Sequence, residues 1–256
     1  MSELALSLIT SLLFSPGLSS PGEVGAAPPS TAHCPDDMVL VEGTHAEQVQ
    51  RLCLKQVLDK KCVSFFPGLV MTEPRYTPVR TCMDRYEWPN EKGKNPEVMV
   101  RFVEAEKACA DRGKRLCTEF EWELACEGPD RLPWPYGWEA KEGVCHVDRP
   151  YRAIDEKKLS SSVRAVWEKE TERLWQGEPA GSFPSCRSAY GVMDLIGNVE
   201  EWVVTSRPEW PYRSSLKGGY WSKHWTGCRG TNESHSPQFR FYEIGFRCCR
   251  DPELDG

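Results

Sequence analysis

Apolar residues recur at helical spacing near the middle of the chain. They predict one helix over residues 96–112, with its apolar positions on a single face. Pro96 suits the first turn of a helix, and Gly113 suits the stop after its last turn. The apolar positions are Val98, Phe102, Ala105 and Cys109.

A second, shorter helix is predicted directly after the first. Thr118 and Glu121 have the spacing of a capping box, in which each side chain bonds to the backbone N–H of the other residue. We expect this helix to continue to Glu127 and to stop at Gly128 and Pro129, because neither residue continues a helix well.

The segment before these helices predicts two strands with a short helix between them. Residues 38–41 and 79–88 are short runs of apolar and aromatic character that are typical of strands. Residues 45–60 are compatible with one short helix. Its apolar positions are Leu52, Val57 and Leu58.

The C-terminal half is broken into short pieces. Residues 153–175 are charged and have a weak helical spacing, which we interpret as a surface insertion. After them come short segments punctuated by turns, and no repeat of fixed period is present. Two helices followed by many short pieces predict an irregular α+β domain. The apolar positions of the insertion are Val163, Val166, Trp167 and Leu174.

Composition changes the picture in two ways. The net charge of −6 argues against nucleic acid as a partner, since phosphate binding requires a basic face. The chain has 12 cysteines with no C-x-x-C spacing and no H-E-x-x-H motif, so a zinc site has little support. Scattered cysteines in an even number instead indicate disulfides and an oxidising compartment.

The N-terminus has the pattern of an export signal. Residues 4–14 are apolar but too short to span a membrane, and Val24-Gly25-Ala26 is a plausible cleavage site. Because the first three residues lack Lys and Arg, a disordered tail is the alternative. We expect residues 1–33 to be signal peptide and linker, and residues 34–256 to be one secreted or periplasmic domain with an insertion near 150–175. No later stretch is apolar enough to cross a bilayer.

Short motifs follow one another in a characteristic order from Arg80 onward. They are Asp84-Arg85-Tyr86-Glu87, Gly113-Lys114-Arg115-Leu116, Thr118-x-x-Glu121-Trp122-Glu123, Pro135-Tyr136-Gly137, Gly181-Ser182-Phe183-Pro184, Gly191-Val192-Met193-Asp194, Gly197-Asn198-Val199, Glu201-Trp202, Gly218-Gly219 and Gly245-Phe246-Arg247. In this order the chain resembles the formylglycine-generating (sulfatase-modifying factor) family. The resemblance implies an irregular C-type-lectin-like fold, with two helices packed on short antiparallel strands and little regular secondary structure.

Calcium is the ligand that the resemblance implies most directly. The family holds it through a side-chain oxygen, two backbone carbonyls and a glutamate, which correspond here to Asp194, Gly197, Val199 and Glu201. Hard oxygen donors on a Gly-rich turn suit calcium. The alternative is that Asp194 only caps a turn and that Glu201 is a solvated charge.

The resemblance also implies disulfides that tie the two helices to the C-terminal segment. The implied pairs are Cys109 with Cys248 and Cys126 with Cys228. Two further pairs are expected, Cys145 with Cys186 and Cys53 with Cys62. The sequence does not pair the remaining four, which are Cys34, Cys82, Cys117 and Cys249.

The catalytic cysteine pair of the family is missing. The enzyme oxidises a substrate cysteine with two cysteines that bind copper(I), and thiolates suit this soft ion. The matching interval here, Gly218–Cys228, holds one cysteine at its end. Cys228 matches either a catalytic or a structural cysteine, and its distance from Gly245 favours the structural one. Copper is therefore not expected, and Glu200 stands where the family has tryptophan.

The family's substrate groove would be lined here by aromatic and histidine side chains. Trp221, His224, Trp225 and His235 fall in that region. One hypothesis is an iron site made by His224, His235 and Glu200, since two histidines and a carboxylate are a known iron arrangement. The alternative is that these residues belong to a ligand-binding loop or to the core.

Three functions remain open from the sequence. The first is an exported, calcium-stapled binding or accessory domain that binds a protein or a small ligand in the C-terminal groove. The second is an oxidoreductase that generates formylglycine or performs another metal-dependent maturation. The third is a structural envelope protein. The missing cysteine pair favours the first.

Overall fold

A computed structural model describes residues 32–57, 61–73, 75–207, 211–223, 227–232 and 235–254. The helices within these residues are α1 (Phe102–Ala110), α2 (Glu119–Glu127), α3 (Glu156–Leu159) and α4 (Arg164–Leu174). The strands are β1 (Ala32–His33), β2 (Met38–Ala46), β3 (Val49–Gln56), β4 (Cys62–Thr72), β5 (Tyr76–Asp84), β6 (Arg115–Leu116), β7 (Glu200–Val204), β8 (Ser214–Lys217), β9 (Thr231–Asn232), β10 (Ile244–Phe246), β11 (Cys248–Arg250) and β12 (Glu253–Leu254).

Two small four-stranded sheets form the framework, which confirms the predicted irregular α+β class. One sheet has the order β2-β5-β11-β6 and is antiparallel, with Met38 opposite Asp84 at one end of its longest ladder. The other has the order β10-β7-β8-β9, in which β10 and β7 run parallel. Helix α1 packs near β6 and β7, and α2 packs on β2 and β5. No helix in the described residues is long and apolar enough to cross a membrane.

The short helix predicted over residues 45–60 is wrong. The described part of this segment is the end of β2 and all of β3, which pairs with β4 as a two-stranded sheet. The physical reason is a period of two: Leu52 and Leu54 are exposed, while Arg51 and Cys53, which alternate with them, are half-buried. Cys53 also bonds to a cysteine on β4, which fixes the two strands together.

Helix α1 exists but begins later than the sequence predicts. Met99 has a φ of 60°, outside the helical region, so the chain cannot be helical from Pro96. The cap is Arg101, whose backbone N–H donates to the Glu104 carboxylate at 2.8 Å. The predicted stop at Gly113 is confirmed, since this residue adopts a φ of 66° just after the helix.

The predicted capping box of α2 is confirmed. Thr118 Oγ1 accepts from the backbone N–H of Glu121 at 3.3 Å, and the Glu121 carboxylate accepts from the N–H of Thr118 at 2.7 Å. The helix ends at Glu127, and Gly128 follows with a φ of 65°. Nearly every side chain of α2 is buried, so the helix lies inside the molecule.

The charged insertion is less superficial than the sequence predicts. It forms α3 and α4, whose Leu159 and Leu174 are buried in one cluster with Trp221 and Tyr242. Trp167 also packs against this cluster, while Val163 and Val166 stay exposed. The insertion therefore covers part of the C-terminal region.

All four expected disulfides are confirmed, and the structure adds two. Cys248 and Cys249 are neighbours on β11, so their side chains point to opposite faces of the strand. One reaches α1 and the other reaches the chain just before α2. The pairs are Cys34–Cys82, Cys53–Cys62, Cys109–Cys248, Cys117–Cys249, Cys126–Cys228 and Cys145–Cys186.

Candidate functional site

A cavity of about 830 Å³ lies where β7 and β10 begin. Its volume falls within the range of small-molecule sites in proteins, and α3 of the insertion contributes part of one wall. The lining mixes aromatic and charged side chains. The lining residues are Arg101, Glu156, Leu159, Ser160, Glu200, Tyr220, Lys223, Asn232, His235, Gln238, Phe239, Arg240, Phe241, Glu243 and Ile244.

Two carboxylates meet at this cavity because of the parallel strand pair. Glu200 begins β7 and is paired with Ile244, the first residue of β10. The backbone N–H of Glu200 donates to the carbonyl of Glu243 at 2.9 Å. The two glutamates therefore lie side by side, and both are buried, with 3% and 7% of their surface exposed.

The two carboxylates are not equally satisfied. Lys223 Nζ donates to Glu200 Oε1 at 2.9 Å. Oε2 of Glu243 is buried without a hydrogen-bond partner in the described structure. Burial, reinforced by the negative charge of Glu200, raises the pKa of Glu243 well above its ordinary value. The cavity thus holds a carboxyl group whose ionisation costs free energy unless a hydrogen-bond donor or a cation binds to it.

Aromatic rings form another part of the cavity. Tyr220, Phe239 and Phe241 line it, and His235 stacks on Phe239 with ring centroids 3.9 Å apart. Burial lowers the pKa of His235, which favours its neutral form. These faces suit an organic ligand that combines an apolar body with a polar end.

The structure distributes the predicted groove residues over two environments. His235 and Glu200 line the cavity. Trp221 does not, because its side chain is fully buried and packs against Tyr242 and Trp175. This outcome matches the alternative that some of these residues belong to the core. The other two candidates, His224 and Trp225, lie outside the described residues.

The iron hypothesis gains little from this geometry. Glu200 already pairs with Lys223, and His235 packs against an aromatic ring. Across the described ranges, no group of three His, Cys, Asp or Glu side chains is arranged to hold a metal ion. The described residues therefore do not form the two-histidine and carboxylate set.

Every cysteine of the chain is committed to a disulfide. The sequence holds 12 cysteines, and all of them lie in the six bonds described above. Cys228, the one cysteine of the interval that carries catalytic thiols in the family, bonds to Cys126 on α2. The next residue, Arg229, also binds α2, with its Nε donating to Glu127 at 2.6 Å. Cys228 is therefore structural, as its spacing indicates.

The segment expected to hold calcium is a tight turn that leads into β7. Asp194 and Gly197 both have positive φ, of 58° and 76°, and Asp194 Oδ2 accepts from the backbone N–H of Gly181 at 2.6 Å. Val199 lies at the end of the turn and is buried. A side chain at position 197 would meet the His146 carbonyl 2.3 Å away, so the turn requires glycine.

Glu201 is buried in a different kind of contact. Its two oxygens accept from the Arg247 guanidinium at 2.6 and 2.7 Å, and Trp122 Nε1 donates to the same carboxylate at 2.9 Å. It is therefore neither a solvated charge nor a carboxylate with free oxygens. Both carboxylate oxygens of Glu201 are thus engaged, whereas Asp194 has only its Oδ2 bound by a backbone N–H.

Excess negative charge surrounds Arg247. Glu87, Asp194 and Glu201 are all buried near this one guanidinium, which is fully buried itself. Burial, and then the charges of Asp194 and Glu201, raise the pKa of Glu87, and burial raises the pKa of Asp194 to about 6. Hard oxygens and buried negative charge are the chemistry that a calcium ion requires, and Asp194 with the carbonyls of Gly197 and Val199 would be the groups to hold one. In the part of the chain that the structure describes, the three carboxylates are not arranged to hold a metal ion together.

Sequence reasoning missed Glu243, the cavity residue with a buried oxygen that has no hydrogen-bond partner in the described structure. Glu243 is absent from the predicted set, although only one apolar residue separates it from the Gly-Phe-Arg motif. A charged residue at the start of a buried strand is a signal that could have identified it. Lys223 and Tyr220, which flank Trp221, were missed as well.

Comparisons with known proteins agree with this fold. Residues 36–252 match the model of the sulfatase-modifying factor enzyme 1-like domain. Inactive C-alpha-formylglycine-generating enzyme 2 of Bos taurus is 29% identical over 171 residues, 62% of this chain and 51% of that protein. The formylglycine-generating enzyme of Mus musculus is 28% identical over 208 residues, 71% of this chain and 52% of that protein. The chain thus spans about half the length of these curated relatives.

A solved structure has the same fold. PvdO from Pseudomonas aeruginosa superposes with a TM-score of 0.53 at 19% sequence identity, covering 88% of this chain and 100% of that one. At this identity the likeness concerns the fold alone. Because the family model matches most of the chain, the protein belongs to the sulfatase-modifying factor enzyme 1-like domain family.

Proposed function

We propose that this chain is a ligand-binding or accessory domain of its family and that it does not oxidise cysteine. The observation that carries this proposal is the Cys126–Cys228 disulfide. It ties down the only cysteine in the interval Gly218–Cys228, where the family resemblance implies two thiols.

The chemistry explains why this bond matters. Copper(I) prefers thiolate ligands, and a cysteine in a disulfide offers no thiolate. With all cysteines paired, the chain has neither a thiolate ligand for copper(I) nor a thiol to exchange with a substrate cysteine. The name of the bovine relative, an inactive formylglycine-generating enzyme, supports the proposal by analogy.

A peptide assay tests the proposal. The oxidised protein, incubated with copper(I), oxygen and a reduced Cys-x-Pro-x-Arg peptide, is expected to leave the peptide mass unchanged. A formylglycine-generating enzyme assayed in parallel verifies that the conditions support oxidation. Conversion of the peptide cysteine to an aldehyde by this chain would refute the proposal, and disulfide mapping of the same sample would show whether Cys228 had been released.

A metal-dependent oxidoreductase is the second candidate. It is favoured by one observation, namely that His235 and Glu200 share the cavity. The measurement is the metal content of protein purified without chelators. Iron or copper in stoichiometric amount would support this candidate, and its absence would leave the binding function.

We also propose that calcium stabilises the turn that contains Asp194. The proposal is supported by the three buried carboxylates around Arg247, since a divalent cation would compensate their charge. Its role would be structural, holding the turn that leads into β7 and so placing Glu200 at the cavity. The protein's own carbonyls at Gly197 and Val199 and the Asp194 carboxylate would bind the ion.

Export is proposed on the basis of the disulfides. Six disulfides in one domain are typical of secreted or periplasmic proteins, because the cytosol keeps thiols reduced. The predicted signal peptide itself lies outside the described residues. N-terminal sequencing of the protein recovered from the native host tests this, with a start near residue 27 or later as the expected result.

A further inference from the structure

The Glu243 side chain is the feature of this molecule that points most directly to ligand binding. More than nine-tenths of its surface is buried, and its Oε2 atom has no hydrogen-bond partner in the described structure. Leaving a buried carboxyl oxygen unpaired is costly, and such a group in a native structure calls for an explanation, such as strain, a catalytic role or a partner that binds there. Glu243 lines the largest cavity described here, so a ligand in that cavity can reach it.

The cations around the cavity are already engaged. Lys223 pairs with Glu200, and Arg101 pairs with Glu104 at 3.0 Å. Arg240 lies over the ring of Trp167, with the guanidinium carbon 4.7 Å from the ring centroid. Lys223 thus pairs with Glu200, and no cationic side chain of the described residues pairs with Glu243.

The remaining wall favours the same type of ligand. Tyr220, Phe239 and Phe241 present aromatic surface to the cavity. Aromatic faces attract cations, and they also pack against an apolar chain attached to one. A carboxylate with an empty acceptor beside such rings is complementary to a positively charged group that carries N–H donors.

We propose that this cavity binds an organic cation with N–H donors, a primary ammonium or guanidinium group, and that Glu243 accepts its hydrogen bond through Oε2. The inference rests on the proposed binding function and names its ligand class. The cation can belong to a free small molecule or to a basic side chain of a peptide, since the group recognised is the same. The aromatic wall takes the alkyl part of that ligand.

Four small probes with the same alkyl chain test the proposal by calorimetric titration of the intact, oxidised protein. They are n-butylguanidinium, n-butylammonium, butyltrimethylammonium and 1-butanol. We expect the first two to bind most tightly, because the trimethylated cation has no N–H donor and the alcohol has no charge. Equal binding of 1-butanol and n-butylammonium would overturn the proposal. A lysine-containing tripeptide titrated in the same way distinguishes a peptide ligand from a free amine.

Two variants locate the binding group. Glu243→Gln removes the charge with little change in shape and is expected to weaken n-butylguanidinium binding by about tenfold or more, as for a hydrogen bond to a charged group. Its melting temperature is expected to be no lower than that of the wild type, because no native partner is lost. Glu156→Gln is the matched control, since Glu156 lines the same cavity but is exposed, and affinity should change by less than about twofold.

The outcomes separate this inference from the proposed function. Unchanged affinity in Glu243→Gln, or no binding of either N–H cation to the wild type, would overturn the inference. The peptide oxidation assay is independent of both results. A negative oxidation assay without cation binding would leave a non-oxidising domain whose ligand is of another class.

Discussion

Glu200 and Glu201 are neighbours on β7, and their side chains point to opposite faces of this strand. Successive side chains of a strand point to opposite faces. Glu201 therefore points into the core, where Arg247 and Trp122 bind it, while Glu200 points into the cavity, where Lys223 binds it. One strand thus joins the structural ion pair to the candidate binding site.

The first prediction concerns the buried ion pair. Glu201→Gln leaves the Arg247 guanidinium without its main counter-charge, and the expected loss is about 3 kcal/mol or more of unfolding free energy. Urea denaturation in the presence of a chelator measures it without any contribution from calcium. Glu253→Gln is the control. It removes an ion pair with Arg250 at the surface, so the expected change in unfolding free energy is below about 1 kcal/mol. Equal losses in both variants would contradict this assignment.

The second prediction concerns the capping box of α2 and its pH dependence. Burial alone would raise the pKa of Glu121, but the hydrogen bond and charge of Arg115 outweigh it and lower the pKa below 4.5. A lowered pKa contributes stability above pH 4.5, and this is lost as the pH falls through the folded-state pKa. Glu121→Gln should therefore cost about 2 kcal/mol at pH 7 and progressively less in acid.

A matched variant on α1 controls for the capping effect. Glu104 occupies the same position in the capping box of α1, but its side chain is 46% exposed. Glu104→Gln is expected to cost less than about 1 kcal/mol. Denaturation curves of both variants between pH 3 and pH 7 supply the measurement. A Glu121 effect that stays constant over this range would disprove the ion-pair contribution.

At the level of elements, local signals predicted α2 well and the β3–β4 hairpin badly. The ends of α2 depend on Thr118, Glu121 and Gly128, which act through their own backbone and are visible in the sequence. The hairpin depends on pairing between two strands, whereas the helix was predicted from the spacing of Leu52, Val57 and Leu58 alone, of which Leu58 lies outside the described residues. The late start of α1 similarly depends on the φ of Met99, which no propensity scale contains.

The third prediction compares two disulfides that close loops of different size. Cys126–Cys228 spans 102 residues and Cys53–Cys62 spans 9. In the chain-entropy model the longer loop contributes about 4.7 kcal/mol and the short one less than about 3 kcal/mol. Replacing each pair by two alanines should give losses in that order in guanidinium denaturation. Loss of the Cys53–Cys62 bond should destabilise mainly the β3–β4 hairpin, since a two-stranded sheet is only marginally stable by itself.

At the level of the whole molecule, the candidate site lies next to the disulfide-bonded core. The two sheets meet where β10 leads into β11 through Arg247, so the site and the core share one stretch of chain. The sequence motifs predicted this framework, the helix-to-C-terminus bonds and the role of Cys228. They did not predict Glu243 in the cavity, and they left open whether Trp221 lies in the groove or in the core, because both placements depend on how the insertion of α3 and α4 packs against the C-terminal region.

The last prediction concerns calcium, which would act on the stability of the entire domain. A ligand that binds only the folded state stabilises it by about 2.7 kcal/mol at a free concentration of 100 times its dissociation constant. The melting temperature should therefore rise when calcium replaces chelator, and magnesium should have a smaller effect because it demands stricter geometry.

Asp194→Asn removes the side-chain charge at the proposed site and should abolish most of the calcium response. Asp155→Asn, on the exposed cap of α3, serves as the control and should keep it. If calcium leaves the wild-type melting temperature unchanged, the buried carboxylates around Arg247 are compensated by protons instead, and Glu87 is the group whose raised pKa accommodates one of them.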